Sequence, residues 1–140
     1  MLNFDDLVEK AGLYYKINSD VPFTGEVTGS VVGNFKNGKP EGEWIKYYEN
    51  GELLSKGNYK NGELDGEFLY YYKNGQLKEI RNYKDGKLEG EFLYYYENGQ
   101  LWIKNNYKNV KLEGERLVYY ENGQLEKTEI YKDGKIIKTI

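Results

Sequence analysis

The sequence predicts an all-β fold: an elongated, single-layer, twisted antiparallel meander of β-hairpin repeats with a 24-residue period. Three observations predict it. The first is the period. Glu/Lys-Asn-Gly followed by Glu/Gln-Leu begins at Glu49, Lys73, Glu97 and Glu121, and an aromatic in Asn-Tyr-Lys context recurs at Phe35, Tyr59, Tyr83, Tyr107 and Tyr131. Acid-Gly-Glu begins at Glu41, Asp65, Glu89 and Glu113, in the same 24-residue step. The second is turn chemistry: every unit carries two turn signals, most of them Asn-Gly or Asp-Gly, and these dipeptides tolerate the positive φ of type I′ hairpin turns. The third is composition, with 16 Tyr and 17 Gly against 2 Pro in 140 residues.

The elements follow in order. Residues 1–32 form an N-terminal capping segment with a shortened unit. Within it, Val8–Lys16 reads as a hairpin turning at Lys10 to Gly12; alternatively Asn3 to Lys10 opens as a short capped helix. Phe23-Thr24-Gly25-Glu26-Val27 is a shortened acid-Gly-Glu strand. Four full repeats then run 33–56, 57–80, 81–104 and 105–128, and a half repeat closes at 129–140, all in one continuous domain. Each repeat holds two strands, rich in the aromatic and branched residues that favour them. In 68–72, Phe68, Tyr70 and Tyr72 share one face and Leu69 and Tyr71 the other. In 77–83, strict alternation puts Leu77 and Tyr83 with Glu79 and Arg81. A helical reading would bury a glycine every dozen residues at about 1 kcal/mol each. At strand spacing of about 4.8 Å, each repeat adds roughly 10 Å, for a sheet about 45 Å long. Trp44, Phe68, Phe92 and Arg116 then stack as one column, Leu53, Leu77, Leu101 and Leu125 as a second, and Tyr48, Tyr72, Tyr96 and Tyr120 as a third. Val110 stands where other units have glycine, so that turn is either of another type or strained.

Composition narrows the function. Net charge is −3, which argues against a nucleic-acid surface. No Cys or His is present, which excludes thiol and imidazole catalysis and Cys/His zinc sites. The aromatic fraction of 16% argues against disorder despite a mean hydropathy of −0.86. The N-terminus lacks the basic and apolar regions of a signal peptide. As given, the chain reads as cytoplasmic, or as exported where a signal has been removed from before Met1.

The motif Gly42-Glu43-Trp44-Ile45-Lys46-Tyr47-Tyr48-Glu49-Asn50-Gly51-Glu52-Leu53, continued by Gly57-Asn58-Tyr59-Lys60-Asn61-Gly62-Glu63-Leu64-Asp65-Gly66, resembles the MORN-repeat variant family. With its lead-in, Leu13-Tyr14-Tyr15-Lys16 and Pro22-Phe23-Thr24-Gly25, it is most similar to the bacterial group of YwqK-type antitoxins. The resemblance spans about residues 7–135 and implies a β-hairpin repeat solenoid. For function, it implies a protein that neutralises a partner by binding it; the broader family's use as scaffold and lipid-associating surface implies a wider range. Arg116, Val110 and Ile137-Lys138 depart from the pattern.

The carboxylate pairs Glu41/Glu43, Asp65/Glu67, Glu89/Glu91 and Glu113/Glu115 recur in every unit, whereas a catalytic acid pair is unique. They read as a solvated row balancing Lys36, Lys60, Lys84 and Lys108. Hence no catalytic residue, metal ligand or cofactor is expected, and the chain is not read as an enzyme. The candidate partner-binding residues are Tyr47, Tyr71, Tyr95 and Tyr119, on the face opposite Tyr48, and Trp102, which either makes a contact site or covers neighbouring stems. Tyrosine offers large contact area at little rotamer cost; the alternative is that the rings only pack against one another across strands. Arg116 is expected to stack on Phe92. The expected function is a non-enzymatic interaction scaffold, antitoxin-like in its most concrete form, with an unidentified protein partner. The alternative is a cell-envelope protein binding glycan or lipid through an aromatic ladder. The chain is expected as a monomer or an edge-paired dimer.

Overall fold

A computed structural model of the chain describes residues 2–140. The strands are Leu2–Asn3 (β1), Leu7–Lys10 (β2), Leu13–Lys16 (β3), Gly25–Thr28 (β4), Val31–Lys36 (β5), Lys39–Tyr47 (β6), Leu53–Lys60 (β7) and Glu63–Leu64 (β8). They continue as Gly66–Tyr71 (β9), Leu77–Lys84 (β10), Lys87–Tyr95 (β11), Leu101–Lys108 (β12), Lys111–Leu112 (β13), Gly114–Tyr119 (β14), Leu125–Lys132 (β15) and Lys135–Thr139 (β16). From β4 onward they form an antiparallel meander in chain order, except that the short β8 and β13 pair only with β7 and β12, and β1 lies parallel to β4 at the edge. The fold is the open, all-β repeat sheet read from the period.

Both readings of the N-terminus hold part of the truth. β2 and β3 form a hairpin through Ala11 and Gly12, at φ of 50° and 82°. Before it, Phe4–Asp6 makes one 3-10 turn, capped by Asn3 with a reciprocal Asp6 bond. This hairpin is a separate two-stranded sheet tied to the main one through Tyr14 N–H to the Gly38 carbonyl at 2.9 Å. It closes a cluster of Phe23, Val27, Phe35 and Trp44, with Phe4 and Tyr14 packed against it.

Two bulges recur in the repeats. At acid-Gly-Glu, Gly42, Gly66, Gly90 and Gly114 take φ between 76° and 88°, which only glycine adopts freely. The other lies at the strand start. Leu77 pairs with Tyr71 but Glu79 with Tyr70, leaving Lys78 as an extra residue. Strict alternation therefore fails there: Leu77 shares a face with Tyr71, opposite Glu79 and Arg81. A bulge re-aims a side chain in this way, and the same slip isolates Leu54, Trp102 and Glu126.

Cross-strand register defines two faces. On the ring face lie Trp44, Phe68 and Phe92, all buried, together with Ser55, Glu79, Asn105 and Val118. On the open face lie Ile45, Leu69, Leu93 and Leu117, none of them buried. Val110 keeps the type I′ geometry of its neighbours, with Asn109 at φ 52° and Val110 at φ 66°. The strained reading of that turn is the correct one.

Candidate functional site

The paired tyrosines divide the work between the two faces. Tyr48, Tyr72 and Tyr96 reach forward along the sheet, and each hydroxyl donates to the backbone carbonyl 23 residues on: Tyr71 at 2.5 Å, Tyr95 at 2.6 Å and Tyr119 at 2.7 Å. This column therefore latches each unit to the next. Burial first, then the nearby Glu97 and Glu79, raises the Tyr72 hydroxyl pKa above its ordinary value, so it stays a donor. The sequence showed the column but not its bond, because the acceptor is backbone.

The candidate residues Tyr47, Tyr71, Tyr95 and Tyr119 supply those carbonyls, or in Tyr47 precede them, while their rings lie on the open face. Each pairs across the ladder with a leucine: Tyr47 with Leu53, Tyr71 with Leu77, Tyr95 with Leu101 and Tyr119 with Leu125. The result is one row of alternating tyrosine and leucine along a sheet margin. Tyr47 is exposed and the other three tyrosines are half-buried. Inward lies a second row, Ile45, Lys56, Leu69, Ile80, Leu93, Lys104, Leu117 and Thr128, and then a third of Glu43, Asn58, Glu67, Asn82, Glu91, Asn106 and Glu115.

Trp102 does not join that row. Its bulge turns it onto Tyr96, with ring centroids 5.1 Å apart and planes 23° apart, and edge-on toward Tyr94. Lys78, its counterpart one unit earlier, likewise sits over the Tyr72 ring. Trp102 thus covers a latch tyrosine while remaining 39% exposed.

The carboxylates form a largely solvated row, but their contacts are not with the turn lysines Lys36, Lys60, Lys84 and Lys108. In three of the four pairs the first acid accepts the amide of the next unit's turn: Glu41 from Asn61 at 3.0 Å, Glu89 from Asn109 at 3.1 Å and Glu113 from Asp133 at 2.9 Å. Of the second acids, Glu43 pairs with Lys56 at 3.6 Å and Glu91 with Lys104 at 3.0 Å, both on the open face.

The ring face carries a polar file that sequence reasoning missed. Arg81 binds Glu79 at 2.9 Å through Nε and Nη2. Its guanidinium lies 5.0 Å from the Tyr70 ring centroid and 4.9 Å from that of Phe92. The cation on Phe92 is therefore Arg81; Arg116 instead pairs with Glu129. Burial works against the Arg81 charge, but the Tyr83 hydrogen bond and Glu79 outweigh it and raise its pKa. The nearby Tyr70 and Tyr94 hydroxyls are also raised, chiefly by burial. Asn105 is buried, and its Oδ1 has no hydrogen-bond partner.

A model of the MORN repeat variant matches residues 40–61, 64–85, 88–109 and 112–139. The chain belongs to that family. Its repeats generally mediate protein or membrane-lipid interactions. No curated protein matches the chain. Among solved structures, the crystal structure of the GtfA/B complex bound to UDP and GlcNAc is similar, with 19% identity and a TM-score of 0.43. The match covers 95% of this chain and 26% of that one, so the chain spans about a quarter of that structure's length.

Proposed function

We propose that this MORN-repeat chain is a non-enzymatic protein-binding module that docks its partner on the open face. One observation carries the reading. The repeats bury their core on the ring face, while the open face keeps a continuous tyrosine–leucine row with nothing packed over it among the described residues. Tyrosines held by a rigid backbone contribute contact area with little entropy left to lose. Binding through several equivalent contacts suits a periodic surface. An antitoxin-like neutraliser of one protein is the most specific form of this reading. The carboxylates support the non-enzymatic part, because they recur in every unit and turn amides or lysines hold five of the eight.

A second reading rests on Trp102. Its partly exposed indole, stacked on Tyr96, offers a flat platform of the kind that stacks on a sugar ring or sits in a lipid interface. A tagged pull-down from lysate of the source organism, washed at low and high salt, separates the two. The first reading expects one stoichiometric protein that survives high salt and is lost in Tyr71→Ala/Tyr95→Ala. Recovery of the bait with membrane or polysaccharide, lost instead in Trp102→Ala, would overturn it.

A further inference from the structure

The open face is complementary to itself; this assignment of its partner rests on the docking reading above. Two kinds of strand alternate across the face from β6 to β15. One kind carries a tyrosine, an aliphatic residue and a glutamate, as Tyr95, Leu93 and Glu91 do on β11. The other kind carries a leucine, a variable residue and, on β7, β10 and β12, an asparagine; on β10 these are Leu77, Ile80 and Asn82. The variable residue is Lys56 on β7 and Lys104 on β12. At the β10–β11 pair, midway along these strands, it is Ile80, so the first two rows are apolar there and the lysines stand to either side.

A two-fold axis along the strands, between β10 and β11, sets β10 of one copy on β11 of the other and β9 on β12. Every strand then faces a strand of the other kind. Along the margin leucine falls on tyrosine, at the centre Ile80 falls on Leu93, and glutamate falls on asparagine. Asn82 and Asn106 each donate one Nδ2 hydrogen to a carbonyl of their own chain, at 3.0 Å and 3.3 Å, which leaves a second for the facing carboxylate. Lys104 falls on Leu69, one row from Glu67 of the second copy, and no like charges face each other. The axis also preserves the right-handed twist, so the two surfaces follow one another, in the aligned packing of β-sandwiches. The six central strands, three residues deep, present about 29 Å by 20 Å on each copy. The pair thus buries about 1,200 Å² in total, the lower end of the range for a stable interface. We propose that the open face takes a second copy of this chain, joined as a two-fold β-sandwich with Ile80 and Leu93 at its apolar centre and Lys104–Glu67 pairs between copies at its flanks.

The test is the oligomeric state of the full chain, followed by analytical ultracentrifugation over a concentration series. A monomer–dimer equilibrium with a dissociation constant on the order of micromolar is expected. Ile80→Lys installs beside the axis the residue that the repeat already carries at Lys56 and Lys104, so the sheet tolerates it. It should weaken the dimer by roughly tenfold or more, because two like charges then meet at the apolar centre. Circular dichroism of each variant confirms an intact sheet. Charge exchange gives a second measurement. Lys104→Glu and Glu67→Lys each set like charges across the interface, whereas a mixture of the two restores opposite charges at both contacts. The two variants should bind each other roughly tenfold more tightly than either binds itself. Contacts within a chain are the same alone and mixed, so only an interface between copies produces that gain. A dimer unchanged by Ile80→Lys, or no gain on mixing, would overturn the proposal. A chain that stays monomeric yet captures a lysate protein, lost in Ile80→Lys, would overturn the second copy and leave the docking face standing. A monomer that captures nothing would overturn both.

Discussion

The two ends of the sheet solve one problem differently. A single layer has no second sheet to cover its rings. At the N-terminal end the rings lie flat on glycine: a Cβ on Gly33 would sit 2.4 Å from the Trp44 indole, and one on Gly57 2.2 Å from the Phe68 ring. The β2–β3 hairpin and Phe4 then close the cluster, leaving Phe35 only 2% exposed. Farther along, the same column holds Arg81, Asn105 and Glu129, and the rings are spaced by ion pairs and a cation–π contact. At the far edge β16 is exposed throughout, with Ile137 at 62%. The comparison teaches that one ring column is closed in two ways, by a lid and a glycine floor at one end and by cation–π and ion-pair contacts farther along.

The largest break in this contrast is at Trp44. Trp44→Ala empties the centre of the capped cluster and should cost about 3–5 kcal/mol, read by denaturant unfolding. Gly57→Ala follows, because its methyl group meets the Phe68 ring and overpacking costs about 1–3 kcal/mol. In the polar half of the same column, Asn105→Ala should cost less than Gly57→Ala, since it removes a buried amide with an unpartnered oxygen. Equal costs would show that the two halves are packed alike. Val110→Gly relieves a β-branched residue at positive φ and should stabilise by about 1–2 kcal/mol; a lower melting temperature would remove strain from the account.

The smallest expected effect tests the latch. Tyr72→Phe loses one hydroxyl-to-carbonyl bond and should cost about 0.5–1.5 kcal/mol. The pKa of Tyr72 is raised above 10.0 in the fold, as are those of Tyr70 and Tyr94. A raised value means the folded state holds the proton more tightly than the unfolded chain does. That stability is fully present below pH 10.0 and is lost as pH rises through the folded values. Melting temperature should therefore fall above that pH, and Tyr72→Phe should blunt the fall.

Much of this was legible in the residues. The 24-residue step located the hairpins of the repeats, from Asn37-Gly38 to Asp133-Gly134, and alternation placed Tyr71 opposite Tyr72. Leu77 was misplaced because a bulge leaves no mark in a period-two pattern until its pairing is seen. Glu41 and Tyr48 were read as surface and column, since their partners are an amide and a carbonyl 20 and 23 residues away, and backbone carries no sequence signal. Arg116 was assigned to Phe92 by column; the shorter route for that cation is Glu129 on the paired strand, while Arg81 reaches the ring from the other side. Asn3 looked like a helix cap and is one, for a single 3-10 turn that Leu7 ends by entering β2.

The difference between the ends is most directly tested by native-state hydrogen exchange, resolved strand by strand. The account predicts slowest exchange in β5, β6 and β7 around Phe35 and Trp44, a graded loss of protection through β12, and fastest exchange in β15 and β16. Uniform protection along the sheet, or a maximum at the C-terminal edge, would contradict it.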